Sequence, residues 1–199
     1  ISNWQKTNQN LWIWDYMVQF SESVLGKGVV VCKDRPNFIG NRIGSFDLAN
    51  AAHVMFSKGL KVEEIDAIIS KPLGRPGSAI FGTIDLVGLD VGYHVSKNIY
   101  DGVPNDEMRE FYKPNEVTLK MMENKWLGNK TGQGYYKRTK DEKGKKVKLV
   151  LDYKKMEYVV PTKPVFESIE KAKQTPGSFA DKLKVIFNGT DIAAEVARE

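Results

Sequence analysis

The sequence is built mainly from short segments with the 3.6-residue apolar period of an α-helix, several of them ended by glycine or proline. These segments cover residues 8–25, 38–57, 62–70, 79–87, 90–100, 115–123, 165–174, 178–187 and 191–199. A helix with one apolar stripe becomes stable only when that stripe packs against a neighbouring element. Many such segments in one chain therefore predict a set of packed helices around a shared core.

Two further segments have the composition of β-strands. Residues 28–33 are rich in valine and predict a short buried strand, and polar and apolar residues alternate over 145–160, which predicts a hairpin. The repeated strand–helix order of a nucleotide-binding sheet is absent from the pattern. We therefore expect a mainly α fold with a small β-strand and a hairpin at its edges.

The longest predicted helix, residues 38–57, follows a turn at residues 34–37 that contains a proline. Its predicted buried stripe consists of Ile39, Ile43, Phe46 and Val54, with Asn50 as the one polar member. This helix is long enough to run through the whole core, so we expect it to organise the packing.

The net charge of +5 comes largely from one basic run. Its members are Lys137, Arg138, Lys140, Lys143, Lys145, Lys146 and Lys148. Asp141 and Glu142 interrupt the run, which favours a solvated hairpin. Nucleic-acid binding is the minor alternative, because no base-reading or stacking motif accompanies the charge. We expect no nucleic-acid partner.

Composition and cysteine content further restrict the class of protein. The 199 residues are 41% hydrophobic and 28% charged, as in ordinary globular proteins, and the apolar stretches are too short to cross a bilayer. Cys32 is the only cysteine and lies in an apolar run, so we expect it to be a buried small side chain. Since one cysteine cannot form a disulfide within the chain, we expect a reducing compartment, the cytoplasm. Ile1 starts no signal peptide, and we expect both ends to be cut from a longer chain.

Three motifs look like parts of a binding site, but a purely structural role explains each of them better. Gly26 and Gly28 precede the predicted strand, so they do not form a dinucleotide-binding turn. Residues 128–132 contain Lys-Thr before the last glycine, not after it as in a phosphate-binding loop, so we expect a tight turn that delivers two tyrosines to the core. His53 and His94 each stand alone, which does not fit a metal site, and are expected to be structural.

Three segments together resemble the C-terminal domain of the 3-hydroxyacyl-CoA dehydrogenase family. Residues 33–42 (KDRPNFIGNR) are similar to the family pattern Lys-Asp-x-Pro-Gly-Phe-x-x-Asn-Arg, with Asn37 in place of the usual glycine. Residues 74–90 keep the ends of a second motif, Gly-x-Pro and Asp-x-x-Gly-Leu-Asp, and alter its middle. Residues 127–136 (LGNKTGQGYY) are close to Gly-x-Lys-Thr-Gly-x-Gly-Phe-Tyr. Their order and spacing make the resemblance specific.

The resemblance implies a 6-phosphogluconate-dehydrogenase-like C-terminal helical domain at residues 36–138. Residues 1–35 would be the last helix and strand of an upstream NAD-binding domain. Residues 139–165 would be a hairpin and linker, and 166–199 the start of a second helical copy. The motif sequences resemble those of the bacterial and archaeal enzymes that fuse this dehydrogenase to an enoyl-CoA hydratase.

The family oxidises (S)-3-hydroxyacyl-CoA to 3-oxoacyl-CoA with NAD, in fatty-acid β-oxidation. Its catalytic histidine and glutamate lie in the NAD-binding domain, so the resemblance implies that this chain alone is inactive and that NAD is bound upstream of it. Asn41 matches the family asparagine that faces the interdomain cleft, where it would act both as a catalytic and a substrate-binding residue. The alternative for Asn41 is a buried cap at the start of the helix.

Other expectations follow from the same resemblance. We expect Arg42 to form a structural ion pair, with Asp85 or Asp90, and Pro76 and Phe81 could border the acyl channel. The implied partners are an acyl-CoA substrate, the chain's own NAD-binding domain and a second helical domain through self-association, without a membrane. A non-catalytic helical dimerisation module is the alternative function.

Overall fold

The computed structural model describes residues 11–33 and 35–199, and this part of the chain is mainly α-helical. The helices are α1 (Leu11–Gln19), α2 (Phe38–Lys58), α3 (Val62–Ile68), α4 (Phe81–Val87), α5 (Leu89–Gly102), α6 (Glu116–Glu123), α7 (Glu167–Gln174), α8 (Phe179–Phe187) and α9 (Ile192–Arg198). A π-helical turn, Phe20–Val24, continues α1, and short 3-10 turns lie at Lys71–Leu73, Arg109–Tyr112 and Asn129–Thr131. The predicted helical class is confirmed, with most helices within a few residues of their predicted bounds.

The strands form a three-stranded antiparallel sheet in the order β1–β2–β3. They are β1 (Tyr136–Lys140), β2 (Lys146–Asp152) and β3 (Glu157–Val159). The predicted hairpin over 145–160 is confirmed as β2 and β3, and β1 adds a strand that the alternation did not indicate. Among the described residues, no helix is both long and apolar enough to cross a membrane.

Residues in the left-handed backbone conformation flank α2 at both ends. Asn37 has φ 62° and precedes the helix, and its side-chain amide donates to the carbonyl of Val95 at 3.2 Å, which ties the start of α2 to α5. Asparagine tolerates this conformation better than other side chains, which explains how it replaces glycine here. At the other end Gly59 has φ 66° and its N–H donates to the Met55 carbonyl. The left-handed turn is thus formed with asparagine in place of glycine.

One apolar core joins the helices to the sheet. Its buried members are Ala51, Val54, Met55, Leu60, Val62, Ile65, Ile68, Ile80, Phe81, Leu89, Met121, Tyr135, Val150, Leu151, Phe166, Ile169, Ala193 and Val196. Phe81 and Tyr135 are almost completely buried in it, with their ring centroids 4.5 Å apart. Burying a side chain such as Phe81 stabilises the fold by about 1.5–3 kcal/mol. Residues of α7 and α9 belong to this same core.

The first half of α2 differs from its prediction. Ile39 and Ile43 are 47% and 65% exposed, while Val54 in the second half is 3% exposed. The other described elements cover only the second half of this helix with a continuous core. A stripe therefore does not guarantee burial, because burial depends on whether another element reaches it.

The predicted strand at residues 28–33 is also absent from the structure. This segment is irregular, with Val30 and Val31 73% and 66% exposed. A buried strand needs a hydrogen-bonded neighbour, and no described strand pairs with this segment. Cys32 is exposed for the same reason, so its prediction as a buried side chain is wrong.

Candidate functional site

Asn41 lies in the first turn of α2, which starts at Phe38. Its side chain is exposed and makes no hydrogen bond to a described residue. The helix-capping position belongs to Asn37 and not to Asn41. The alternative that Asn41 is a buried cap is therefore wrong, and its amide is free to meet a ligand or another domain.

A cavity of about 600 Å³ opens beside this turn of α2. Phe38, Ile39 and Ile43 give it an apolar wall, while Arg42 and Asp106 line it with charge. Asn41 is next to these residues in the chain but does not itself line the cavity. The exposed apolar start of α2 and this cavity form one open surface, which we call the α2 cleft.

Arg42 is held in the α2 cleft by an ion pair with Asp106. The Asp106 side chain is only 6% exposed, and it also accepts a hydrogen bond from the Met108 amide at 2.8 Å. Burial acts to raise the pKa of Asp106, but the Met108 amide and the Arg42 guanidinium outweigh it and lower that pKa. The predicted ion pair of Arg42 is confirmed, but the predicted partners, Asp85 or Asp90, are wrong. Those two carboxylates bind other groups.

Asp85 joins the second and third motif segments in the interior. It is 3% exposed, and its two carboxylate oxygens accept from the backbone amides of Tyr135 and Tyr136, each at 2.8 Å. Burial raises the pKa of Asp85 to about 6, although both amide hydrogen bonds act against this rise. Gly128 and Gly134 pack directly on Asp85, where a Cβ atom would overlap its oxygens. The motif glycines therefore serve close packing.

Asp66 is a second buried carboxylate, and no motif indicated it. It accepts from the backbone amides of Ile80, Phe81 and Gly82 at the start of α4, and from the Tyr136 hydroxyl at 2.7 Å. Burial raises the pKa of Asp66 as well. The sequence gives no signal that singles it out, because Glu63 and Glu64 in the same helix are equivalent carboxylates. Asp66 and Asp85 thus fix α4 and β1 to each other.

An exposed ion pair connects the same two segments at the surface. Lys130 donates to Asp90 Oδ2 at 2.6 Å. Residues 74–90 and 127–136 therefore contact each other both in the core and at the protein surface. The glycine-rich segment turns at Gly132, which has φ 79°, and the chain then enters the core. The prediction of a tight turn that delivers tyrosine to the core is confirmed. These two segments hold the fold together and do not line the α2 cleft.

The remaining predicted residues lie away from the α2 cleft. Phe81 is fully buried, so the suggestion that it borders an acyl channel is wrong. His53 packs against Phe111 with the ring centroids 4.7 Å apart and the ring planes tilted by 41°, and the Tyr93 ring contacts His94 edge-on. In the described part of the chain, no group of three or more metal-ligating side chains comes together.

The comparisons with known proteins agree with this arrangement. Residues 38–138, about half of the chain, match the family model described as 3-hydroxyacyl-CoA dehydrogenase, C-terminal domain. The matched region holds most of the α2 cleft and both buried carboxylates. The chain belongs to the family of 3-hydroxyacyl-CoA dehydrogenase C-terminal domains, which occur in enzymes of fatty-acid oxidation.

Three relatives define the family more closely. A probable 3-hydroxyacyl-CoA dehydrogenase of Bacillus subtilis is 41% identical over 91% of this chain and 22% of its own length. A putative fatty acid oxidation complex trifunctional enzyme of Rickettsia prowazekii is 36% identical over 70% of this chain and 19% of its own. The chain thus spans about a fifth of the length of these two curated relatives. The crystal structure of (S)-3-hydroxybutyryl-CoA dehydrogenase PaaH1 from Ralstonia eutropha superposes with a TM-score of 0.51, 27% identity, 60% of this chain and 40% of the other.

Proposed function

We propose that this chain is the substrate-side domain of an NAD-dependent (S)-3-hydroxyacyl-CoA dehydrogenase that oxidises the 3-hydroxyl to a ketone. The family match and the names of the relatives support this reaction class. The observation that carries the proposal is the exposed amide of Asn41 at the edge of an open, partly apolar cleft. Such a cleft suits an acyl group, provided that another domain supplies its opposite wall.

The described residues do not fit NAD. Dinucleotides bind where a parallel strand leads through a glycine-rich turn into a helix, and the described sheet is entirely antiparallel. We therefore assign NAD, and the histidine–glutamate pair that acts as base, to a separate nucleotide-binding domain. Hydride transfer belongs to that domain, and this chain alone is expected to be inactive.

Asn41 would orient the substrate from this side of the cleft. Its amide N–H can donate to the substrate oxygen while its carbonyl accepts from an imidazole or a water molecule. A neutral amide holds these groups in place without competing for the proton that the base removes. We propose Asn41 as both a substrate-binding and a catalytic residue.

Asn41→Ala is expected to lower kcat at least about ten-fold, or about 1.4 kcal/mol in the activation barrier. The measurement is steady-state oxidation of a 3-hydroxyacyl-CoA by a protein in which this chain is joined to its nucleotide-binding domain. Asn50→Ala is the matched control, because Asn50 lies on the same helix and bonds the Glu199 carbonyl, away from the cleft. Turnover of Asn41→Ala equal to that of the control would remove Asn41 from the site.

Self-association is a second proposed role, which can coexist with the first. Leu86, Val87 and Val91 are 64%, 55% and 44% exposed around the junction of α4 and α5. Exposed apolar side chains that cluster in this way are typical of an interface between proteins. A second copy of this helical domain is the proposed partner.

Light scattering should therefore detect a dimer whose fraction rises with protein concentration. Leu86→Ser together with Val87→Ser should shift the protein to monomer, because burial of these side chains would be lost. Val165→Ser is the control, since Val165 is 75% exposed and lies elsewhere on the surface. A protein that remains monomeric at high concentration contradicts this role.

A further inference from the structure

On one face of the β1–β2 hairpin, the part nearest the turn carries only basic side chains. The register places Arg138 opposite Lys148 and Lys140 opposite Lys146. Side chains on one strand alternate between faces, so these four residues share the face that also carries Tyr136. We call Arg138, Lys140, Lys146 and Lys148 the cationic face.

This arrangement works against the stability of the sheet. Like charges directly opposite each other repel, since their Cβ atoms lie roughly 5 Å apart. In the part of the chain that the structure describes, none of the four side chains forms an ion pair with a carboxylate. All four are exposed to solvent. Lys148 is attracted by the buried carboxylates of Asp66 and Asp85, but Arg138, Lys140 and Lys146 have no carboxylate among the described residues in ion-pair contact. The repulsion among these side chains points to an anionic ligand from outside.

The nearby acidic residues do not neutralise this cluster. Asp141, at the hairpin turn, accepts from the backbone amides of Lys143 and Lys145 at 3.0 and 2.8 Å. Asp66 is occupied by the start of α4 and by the Tyr136 hydroxyl. Asp66 and Asp85 attract Lys148 from the core side, and Glu142 in the turn is exposed and forms no ion pair with the cationic face. The outer side of the cationic face is therefore open.

The size of the cationic face favours a compact anion. Paired side chains lie roughly 5 Å apart across the strands, and successive pairs lie roughly 7 Å apart along them. Four charges within this small rectangle suit a ligand that carries several phosphates close together. A nucleic acid would need a longer basic groove and free aromatic rings for base stacking. Here the Tyr136 ring is covered by Lys148, whose Nζ lies 3.5 Å from its centroid.

We propose that the cationic face is an accessory binding surface for the phosphate groups of coenzyme A esters. This inference rests on the proposed function, which makes an acyl-CoA the substrate. None of the four residues lines the α2 cleft, so this surface is distinct from the site of Asn41. Its role is to capture the phosphorylated end of the substrate and to raise its local concentration.

The test measures the binding of coenzyme A to this 199-residue chain by calorimetry at low ionic strength. The double variant Arg138→Gln, Lys146→Gln is expected to weaken binding at least about ten-fold, because each removed charge contributes several-fold in water. Dephospho-coenzyme A, which lacks the 3′-phosphate, should bind the unaltered chain more weakly than coenzyme A. Added salt should weaken both interactions.

The matched control removes two charges that already have internal partners. Lys171→Gln, Lys173→Gln takes two lysines from α7 that pair with Glu167 and Glu170, and it should leave coenzyme A binding within about two-fold. Equal binding by the hairpin variant and the unaltered chain overturns the proposal, and so does tighter binding of a single-stranded oligonucleotide. These outcomes are independent of turnover by Asn41→Ala, so either proposal can fail alone.

Discussion

Gly134→Ala is expected to lower the free energy of unfolding by at least about 3 kcal/mol. A Cβ at this position would overlap Asp85 Oδ1 and lie 2.6 Å from the Cα of Gly128. The backbone cannot yield easily, because both neighbours belong to the same buried junction. Relief of the overlap would instead move the Asp85 carboxylate away from the amides of Tyr135 and Tyr136, which would then be buried without partners. Urea unfolding followed by circular dichroism measures the loss.

Gly132→Ala provides the matched control in the same turn. Gly132 has φ 79°, but a Cβ there would meet nothing within 4 Å. This substitution introduces only the strain of a left-handed alanine, about 1 kcal/mol. Similar losses for both variants would show that backbone conformation, and not close packing on Asp85, governs this turn.

The second large effect is the loss of the stabilising contribution of Asp85 as the pH rises from about 4 to about 6. Burial raises the pKa of Asp85 from 3.8 to about 6 in the folded protein. Between these values the folded state holds a proton that the unfolded state has released, so raising the pH favours unfolding. A rise of about two pKa units corresponds to a loss of up to about 3 kcal/mol. The contribution is fully present below pH 3.8 and is lost once the pH passes the folded pKa.

Asp85→Asn isolates this contribution. The variant keeps the shape of the side chain but cannot titrate, so the stability difference between the unaltered protein and the variant should shrink or reverse across this pH range. Urea unfolding at a series of pH values gives this difference directly. Carboxyl carbon NMR of Asp85 should also show a midpoint near its raised pKa of about 6. A difference that stays constant from about pH 4 to about pH 6 contradicts the assignment.

Local signals in the sequence were sufficient for the helices and their ends. Asn115 accepts from the Thr118 amide at 2.8 Å, and Ser178 accepts from the Asp181 amide at 3.3 Å. Each hydrogen bond spans three residues, so its geometry depends on the chain nearby and not on the rest of the fold. For the same reason, the turn at Asn37 could be expected from the residue type alone.

The sequence could not identify the partners of the charged residues. Arg42 pairs with Asp106, which lies 64 residues further along the chain, and Asp66 bonds the Tyr136 hydroxyl 70 residues away. Such pairs form only after several helices have packed, and many carboxylates in the sequence are chemically equivalent candidates. The resemblance to a family identified Asn41 as a candidate, but it did not reveal the α2 cleft beside it.

The sequence by itself determined that the chain is mainly helical, where its helices begin and end, and which motifs relate it to 3-hydroxyacyl-CoA dehydrogenase domains. Only the tertiary structure decided which apolar residues are covered, so Val54 is buried while Ile43, on the same predicted stripe, is exposed. Periodicity is a property of one helix, whereas burial is a property of a helix and its neighbours. The exposed first half of α2 is therefore a tertiary feature, and it is the one on which the proposed function depends.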